Sequence, residues 1–572
     1  MKKVIIAEKP SVAKNIADAF KIKTRRDGYY EGENYLVTWA FGHLLQLYDA
    51  KDYDENMKGW RMEKFPFIPE GFKYKIKCDN VNRTVTDKGA EKQINIIKGL
   101  IDRDDVDGVI SATDYDREGQ VISDELFIHY EIKKPIYRLL LNEWTEDEVK
   151  KGMSNLKLNS EMKSLQDAGI GRQLADWTIG INLTSVATLR YGASEKKTIN
   201  IGRVLLPTLK IIYDRDKEIE NFKESSYYKL LISLKSKDNI EFESLYYENS
   251  SEKFEKKDYL DNLSKILKEK QAIVVDKEIE KKREYPQSLF NLSNLQGYIT
   301  SKYKGWTSDK VLKVAQGLYE KKLITYPRTA SSVLEESLVD KARKVLETHK
   351  KGLPYENQIK FVQSKRVFDN SKVESHSAIT PTYVIPKGLT TEEQHVYNAI
   401  KNRFIMQFMP VAEFEETKIT LKVNDESLKG EFISKGKVEI VKGWRVVEKI
   451  ETKDTILPLV EKGEYLDIVD SKVNKVTKKP PKYHTEKTLL RVMETCGKSF
   501  KEEKDENSDD EINSEEMMQA ILSGFSIGTP ATRAETIKKL KDIGYIKTKG
   551  KSLTTTELGK TIVEIFPAKE LL

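Results

Sequence analysis

The sequence predicts a multidomain protein of the α/β plus α and β class. Its 572 residues are enough for about three or four domains. Near the N-terminus, short β-branched runs alternate with helical patterns, and further along two stretches of alternating hydrophobicity flank a helical block. The order α/β, α, β, α, β, α therefore predicts one β-rich region that is interrupted by an inserted helical domain.

The N-terminal segment contains the predicted parallel sheet. Residues 4–7 (VIIA) and 106–112 (VDGVISA) are short apolar runs, and helical patterns follow them at residues 11–20 and 118–127. Strands that alternate with helices are typical of a mostly parallel sheet.

The rest of the chain alternates between longer helical and strand-like stretches. We expect helix, strand, helix, strand and helix in turn at residues 145–213, 227–279, 289–346, 413–476 and from 485 onward. Residues 501–516 (KEEKDENSDDEINSEE) are acidic and polar with a single apolar residue, which predicts a solvated, disordered loop.

Composition excludes several classes of protein. The net charge of +7 is a mild basic excess that is compatible with nucleic acid binding. The two cysteines lie far apart and the six histidines have no zinc spacing, which argues against a disulfide framework and a zinc module. No apolar run matches a secretory signal or the ~20 residues of a membrane span. We therefore expect a soluble, cytoplasmic protein with reduced thiols.

Nucleotide-binding motifs are missing. The Gly-Lys-Ser/Thr triplets at residues 497–499, 550–552 and 559–561 lack the glycine that a phosphate-binding loop requires five positions earlier. The pair Gly169 and Gly171 has no third glycine and does not follow a strand. We expect neither ATP hydrolysis nor dinucleotide binding.

An acidic cluster follows the second predicted strand. Asp114, Asp116 and Glu118 alternate along the chain, so their carboxylates project to one side of an extended turn. Oxygen ligands without histidine or cysteine suit Mg²⁺. Two alternatives remain open, a solvated acidic turn and a calcium-binding EF-hand. In the EF-hand, Glu125 would be the final ligand, although a strand precedes the loop where a helix is required.

Glu8 and Lys9 follow the first strand as the aspartates follow the second. Sites in open α/β sheets form beyond the carboxyl ends of the strands. Glu8 is therefore a candidate fourth carboxylate, and Lys9 is a candidate proton donor or phosphate contact. A simple helix start is the other interpretation of this pair.

Several segments resemble known family motifs in the order that the family has them. A glutamate after the first strand and D-x-D-x-E after a later one resemble the Toprim domain. Residues 318–329 (LYEKKLITYPRT) resemble the active-site signature of type IA DNA topoisomerases, and the chain is identified as a member of their topoisomerase III branch. Further matches are residues 176–182 (DWTIGIN), 202–209 (GRVLLPTL), 376–382 (HSAITPT) and 528–534 (GTPATRA).

The resemblance implies an architecture, a torus built from a Toprim domain with helical and β-arch domains. The expected division is a Toprim domain at residues 1–150 and a helical single-strand-binding domain at 151–220 and 478–572. A β-rich arch at 221–285 and 405–477 would carry a helical domain at 286–404 with the active-site tyrosine.

The resemblance also implies a reaction. Tyr326 would break one DNA strand through a transient 5′-phosphotyrosine without ATP, and strand passage and religation would relax negative supercoils or decatenate DNA. Arg328 would stabilise the transition state, and Lys9 would protonate the leaving oxygen. The expected Mg²⁺ ligands are Glu8, Asp114, Asp116 and Glu118, and the expected DNA-binding residues are Arg172, Asp176, Arg203, His376 and Arg533.

The resemblance also implies partners, and two alternative functions remain open. The expected substrate is single-stranded or underwound DNA, the expected state is a monomer, and a RecQ-type helicase or single-strand-binding protein is the expected partner. A Toprim primase or nuclease would share the acidic residues but need no tyrosine. A non-catalytic DNA-binding or calcium-binding protein is the third possibility.

The chain departs from the family pattern at several positions. The replacements are Gln120 for a glutamate, Leu205 for a glutamine, Ala330 for an aspartate and Gln173 for an arginine. We expect position 120 to lie on the helix behind the acidic residues, where it affects their surroundings and not the ligands themselves.

Overall fold

The computed structural model describes residues 1–192, 198–268, 270–373, 376–495 and 526–566. The loop predicted at residues 501–516 lies outside these ranges. Within them, the regions follow the expected order α/β, α, β, α, β, α.

The N-terminal region is a sheet with helices on both faces. Its elements are β1 (Lys2–Ala7), α1 (Pro10–Ala19), β2 (Thr24–Arg26), β3 (Tyr29–Glu31), β4 (Tyr35–Trp39), β5 (Leu45–Leu47), α2 (Ala50–Tyr53), β6 (Tyr74–Ile76), α3 (Lys88–Ile101), β7 (Val106–Ala112), α4 (Arg117–His129), β8 (Ile136–Arg138), α5 (Glu146–Met153) and β9 (Lys157–Leu158).

The sheet has the order β2-β3-β4-β1-β7-β8-β9, and its central strands β4, β1, β7 and β8 are parallel. Val4 and Ile6 pack towards α3 and α4, whereas Ile5 and Ala7 pack towards α1 and α5. A strand that is covered on both faces has no polar side, which explains its unbroken apolar run.

Two strand-rich segments form one closed antiparallel barrel. Helices α6 (Lys163–Tyr191) and α7 (Leu205–Glu220) precede it in the chain. The barrel strands are β10 (Ser226–Lys235), β11 (Glu241–Tyr247), β12 (Gln271–Glu284), β13 (Ala412–Val423), β14 (Glu431–Val441) and β15 (Tyr465–Thr477). Helices α8 (Lys257–Ile266) and α13 (Arg445–Glu448) lie between barrel strands in the chain. Strands β12 and β13 pair from Ala272 opposite Val423 to Glu284 opposite Ala412. The domain inserted between them therefore enters and leaves through two adjacent strands.

The inserted domain is helical, as predicted. It contains α9 (Leu292–Lys302), α10 (Ser308–Glu320), α11 (Val339–Lys350) and α12 (Thr391–Met406). The C-terminal region contains α14 (Glu486–Thr495), α15 (Pro530–Ile543), β16 (Ile546–Lys549), β17 (Ser552–Thr555) and α16 (Glu557–Ile565), which pack on α7. Short 3-10 helices lie at Glu55–Lys58, Met62–Lys64, Asn159–Met162, Glu336–Leu338, Glu356–Gln358 and Asn370–Lys372.

The inserted domain contacts both the N-terminal and the C-terminal regions. The inserted domain meets the N-terminal sheet where the Tyr326 amide donates to the Asn142 carbonyl at 2.7 Å. It meets the C-terminal helices where the Ser308 hydroxyl donates to the Glu486 carboxylate at 2.6 Å. In the chain, barrel strands β10 and β15 connect to α7 and α14, and strands β12 and β13 connect to the inserted domain. No helix in the described ranges is long and apolar enough to cross a membrane.

Candidate active site

The acidic residues meet at the carboxyl edge of the parallel strands. Glu8 follows β1 and Asp114 follows β7, and these neighbouring strands pair up to Ala7 opposite Ala112. The Asp114 amide donates to Oε2 of Glu8 at 3.2 Å. Both side chains are buried, with 6% of Glu8 and 2% of Asp114 exposed. The tertiary fold thus joins the two acidic segments that the sequence predicts separately.

Burial makes this cluster electrostatically unfavourable. Desolvation raises the pKa of Glu8 against the opposing charge of Lys9, and Asp116 raises it further. Desolvation and the charge of Glu8 hold the pKa of Asp114 well above its ordinary range. Oδ2 of Asp114 is buried and has no hydrogen-bond partner among the described residues. Buried carboxylates that lack partners favour either a proton or a cation.

The donor chemistry of the cluster fits Mg²⁺. Its ligands would all be carboxylate oxygens, and Oδ2 of Asp114 has no hydrogen-bond partner among the described residues that would compete with a cation. Within the described ranges, no three acidic, histidine or cysteine side chains are arranged to hold a metal together. Mg²⁺ is commonly held by one or two carboxylates and several waters, so the arrangement remains compatible with it. Glu118 lies exposed in the first turn of α4.

Asp116 connects the acidic loop to the predicted nucleophile. Its Oδ1 accepts from the Gly119 amide at 2.7 Å and caps the N-terminus of α4. Its Oδ2 accepts from the Tyr326 hydroxyl at 2.6 Å. The cap fixes the orientation of the carboxylate, so the phenol meets a preorganised acceptor.

Tyr326 is buried at the junction of the N-terminal sheet and the inserted domain, with 1% of its surface exposed. Burial, followed by the charges of Asp116 and Asp114, holds the pKa of its phenol well above the ordinary value. Arg328 opposes this effect, and its guanidinium Nη1 lies 3.9 Å from Oδ2 of Asp116. The phenol is therefore neutral in this conformation, with an acceptor and a cation beside it.

His376 lies against the tyrosine ring instead of on an open surface. The two ring centroids are 4.7 Å apart. Nδ1 of His376 is 2.6 Å from Oδ1 of Asn142, and Nε2 contacts the Tyr115 carbonyl. Burial lowers the pKa of His376. This predicted DNA-binding residue is placed to orient the acidic loop and the tyrosine relative to each other.

Residues 114–125 do not form the EF-hand that their spacing allows. Strand β7 precedes Asp114 where an EF-hand needs a helix. Glu125 is fully buried within α4, and both its carboxylate oxygens lie 3.1 Å from Nδ1 of His43. Its carboxylate therefore faces His43 and not a calcium loop.

Comparisons with known proteins agree with this geometry. The protein-family model for the Toprim domain matches residues 3–144, and the family model described as DNA topoisomerase matches residues 160–572. The chain belongs to the type IA DNA topoisomerases. It is 32% identical over 576 residues to DNA topoisomerase 3 of Staphylococcus aureus strain USA300, a match that covers 99% of this chain and 76% of that protein. DNA topoisomerase 3 of strain MRSA252 matches to the same extent.

A solved structure supports the fold. Full-length topoisomerase I from Thermotoga maritima superposes with a TM-score of 0.70 at 24% identity, over 98% of this chain and 82% of that one. The predicted fold class is therefore confirmed, and the topoisomerase match beyond residue 144 leaves the primase or nuclease alternative without better support.

Three of the predicted DNA-binding residues form a network on helix α6 and the loop before α7. Nε of Arg203 lies 3.0 Å from Oδ1 of Asp176, and Nε of Arg172 lies 3.5 Å from Oδ2 of the same carboxylate. Their side chains are between 24% and 45% exposed, so both guanidinium groups are accessible from solvent. Asp176 would orient the two cations for phosphate.

Arg533 occupies a different environment. It is only 2% exposed, and its Nη1 lies 3.0 Å from Oε1 of Glu494 and 3.3 Å from Oγ of Ser293. Its Nε donates to the Ile527 carbonyl at 3.2 Å. The side chain therefore joins α15 to α14 and to α9 of the inserted domain. This geometry indicates a structural link, whereas the sequence predicts a DNA contact.

The departure at Gln120 has a local explanation. Its amide nitrogen donates to Asp124 at 2.7 Å, and its oxygen accepts from Nε of Arg138 at 3.0 Å. A glutamate could not donate to Asp124. Arg138 in turn donates to the Asp114 carbonyl at 2.6 Å, so Gln120 supports the acidic loop from behind, as expected.

Sequence reasoning missed Asn142 and Glu320. Asn142 follows β8, the next parallel strand after β7, so its position at the same sheet edge was an available signal. Glu320 ends α10, and its carboxylate lies 2.8 Å from Nζ of Lys9. No local pattern marks that pairing, because Lys9 is 311 positions away in the chain.

Proposed function

We propose that Tyr326 is the nucleophile of this topoisomerase. Its oxygen attacks a phosphodiester in single-stranded or underwound DNA and forms a 5′-phosphotyrosine, while the bond from phosphorus to the 3′ oxygen breaks. The observation that carries the proposal is the 2.6 Å hydrogen bond from the buried phenol to Asp116. It gives the hydroxyl a proton acceptor at the point where the N-terminal sheet meets the inserted domain.

The side chains at the site account for the protons and charge. As the new phosphoester forms, the phenol proton passes to Asp116, which already accepts it as a hydrogen bond. Arg328 faces the developing negative charge on phosphate with a planar set of donors. Lys9 protonates the departing 3′ oxygen. Religation reverses each transfer.

Mg²⁺ binding is proposed for the acidic cluster. Toprim domains bind Mg²⁺, and here Glu8, Asp114, Asp116 and Glu118 are the proposed ligands, with Glu8 and Asp114 as the buried pair. A bound ion would supply positive charge near the broken end of the strand. The raised pKa values of Glu8 and Asp114 support this assignment, because a cation would relieve their repulsion.

The proposed reaction needs no ATP. One phosphoester replaces another, so the bond energy is retained for religation, and supercoiling drives the relaxation of negative supercoils. Decatenation would use the same break and passage. We propose that residues 286–404 act as the gate, carried by the arch at 221–285 and 405–477, with residues 1–150 as the Toprim domain.

Strand binding is proposed for the helical domain at residues 151–220 and 478–572. Arg172, Asp176 and Arg203 form its accessible cationic network. We also propose that the protein acts as a monomer in the cytoplasm, and that a RecQ-type helicase or a single-strand-binding protein supplies its unwound substrate.

Covalent capture tests the proposal. The protein is incubated with a 3′-end-labelled single-stranded oligonucleotide, because a 5′-phosphotyrosine retains the fragment on the 3′ side of the break, and the products are analysed on a denaturing gel. The wild type should carry the label covalently, and Tyr326→Phe should carry none. A labelled adduct that persists in the variant would show that another residue is the nucleophile.

A further inference from the structure

Glu320 of the inserted domain bonds to Lys9 of the N-terminal region, across the interface at which the proposed gate would open. Its Oε1 accepts from Nζ of Lys9 at 2.8 Å, and its Oε2 accepts from the Ser11 hydroxyl at 2.8 Å. Its backbone carbonyl accepts from Nδ2 of Asn15, also at 2.8 Å. One residue at the end of α10 therefore receives three hydrogen bonds from the start of α1.

The position of Lys9 makes this contact relevant to the reaction. Lys9 occupies the position just before α1, where its side chain makes no capping hydrogen bond, and it directly follows Glu8 of the acidic cluster. A lysine side chain is a flexible stem with a compact charge, so alone it samples many orientations. A charge-assisted bond of 2.8 Å to a carboxylate restricts those orientations.

Glu320 is linked to the nucleophile proposed above by a short segment of the inserted domain. The neighbouring Tyr319 is fully buried, and its ring lies 5.3 Å from the ring of Tyr326. Leu323 and Ile324 of the connecting segment are buried in an apolar core that also contains Val12 and Ile16 of α1. The end of α10 and the tyrosine are thus joined by a short segment of chain and by ring packing, whereas Lys9 reaches Glu320 only across the interface between α1 and α10.

We infer that Glu320 is a positioning residue for Lys9 in the proposed cleavage and religation steps. In the closed gate it directs the ammonium towards the 3′ oxygen. When the gate opens, the carboxylate leaves with Tyr326 and the lysine loses its orientation. The proton donor is therefore aligned only while the nucleophile is in place. This inference rests on the proposed function, in which Lys9 gives a proton to the 3′ oxygen as the phosphorus–oxygen bond breaks.

A double-mutant cycle tests the inference. Single-turnover cleavage of a labelled single-stranded oligonucleotide is measured for the wild type, Glu320→Gln, Lys9→Ala and the double variant. Glu320→Gln should slow cleavage by about tenfold or more, because small misplacements of a reacting group are costly. Oligonucleotide binding should stay within about twofold of the wild type, and Glu320→Gln should change the Lys9→Ala rate by less than about twofold.

Two further variants separate positioning from interface stability. Glu148→Gln breaks the 3.1 Å ion pair with Lys341, which crosses the same interface without touching Lys9. It should change the cleavage rate by the same small factor with or without Lys9. Ser11→Ala removes the one hydrogen bond that α1 itself gives to the Glu320 carboxylate, and it should slow cleavage mildly and only when Lys9 is present.

Independent effects of Glu320→Gln and Lys9→Ala would overturn the inference, as would wild-type cleavage by Glu320→Gln. Thermal melts will show whether Glu320→Gln folds. If it does not, Ser11→Ala serves as the test: the inference is overturned if Ser11→Ala slows cleavage equally in the wild type and in Lys9→Ala. Failure of the wild type to form any covalent adduct would instead refute the proposed function.

Discussion

The phenol of Tyr326 donates a 2.6 Å hydrogen bond to Oδ2 of Asp116, a residue 210 positions earlier in the chain. The bond joins the inserted domain to the acidic edge of the N-terminal sheet. The same carboxylate caps α4 through its other oxygen. The phenol is therefore docked against a fixed acceptor, and opening of the proposed gate would break this bond.

Replacing the nucleophile should separate chemistry from folding. Tyr326→Phe removes one hydroxyl and keeps the ring that packs against Tyr319 and His376. We expect complete loss of relaxation and of the covalent adduct, with a change in unfolding free energy of about 1 kcal/mol, typical of one hydrogen bond. Relaxation assays and chemical denaturation measure the two effects. A change of several kcal/mol would mean that the phenol is mainly structural.

Neutralising Asp114 should stabilise the metal-free protein. The pKa of Asp114 is raised, so its contribution to stability is present below the unfolded pKa and is lost as the pH rises through the folded pKa. Above the folded pKa the ionised side chain therefore destabilises the fold. Asp114→Asn should raise the melting temperature in chelator but lose Mg²⁺-dependent relaxation.

The wild type provides the comparison for this variant. Mg²⁺ should raise its melting temperature and should have a smaller effect on Asp114→Asn, because the binding energy adds to folding. Chelation should stop relaxation more completely than cleavage, since the ion is proposed to align the ends for religation. Relaxation that is unchanged in excess chelator would exclude the metal role.

Arg533 and Arg203 should behave differently although the sequence predicts DNA contact for both. Arg533→Ala leaves the Glu494 carboxylate buried without its charge partner. Breaking a buried pair in this way typically costs about 3–5 kcal/mol. We expect a large loss in the free energy of unfolding, measured by denaturant titration.

Arg203→Ala should instead weaken binding of single-stranded DNA and reduce its salt dependence, with little change in stability, because its side chain is 45% exposed. Fluorescence anisotropy at several salt concentrations measures this. If Arg533→Ala weakens binding while stability stays unchanged, Arg533 is a DNA contact after all.

His484 should contribute to acid sensitivity. It is 5% exposed, and burial, with the charge of Arg215, lowers its pKa to about 4. Its stabilising contribution is therefore present above the unfolded pKa of about 6.5 and is lost as the pH falls through about 4. At about 1.4 kcal/mol per unit, the loss is roughly 3 kcal/mol. His484→Asn should unfold with a shallower pH dependence between these values, and identical pH profiles would contradict the assignment.

Much of the fold could be predicted because its signals are local. The runs at residues 4–7 and 106–112 became the adjacent strands β1 and β7, and the two alternating stretches became barrel strands. Closure of the barrel was not predictable from those stretches. It depends on pairings such as Ala272 with Val423, which period-two alternation leaves unspecified.

The sequence by itself determined which chemical groups the protein has and the order in which they occur: the tyrosine proposed as nucleophile, carboxylates at two strand ends, and the cations Lys9 and Arg328. Only the tertiary structure decided which of them meet. It placed His376 and Arg533 in buried contacts, paired Lys9 with Glu320, and bonded Tyr326 to Asp116. The physical reason is that strand and helix patterns report which face a residue occupies. Long-range contacts depend instead on how whole domains pack, and burial then sets the charge and accessibility of each group.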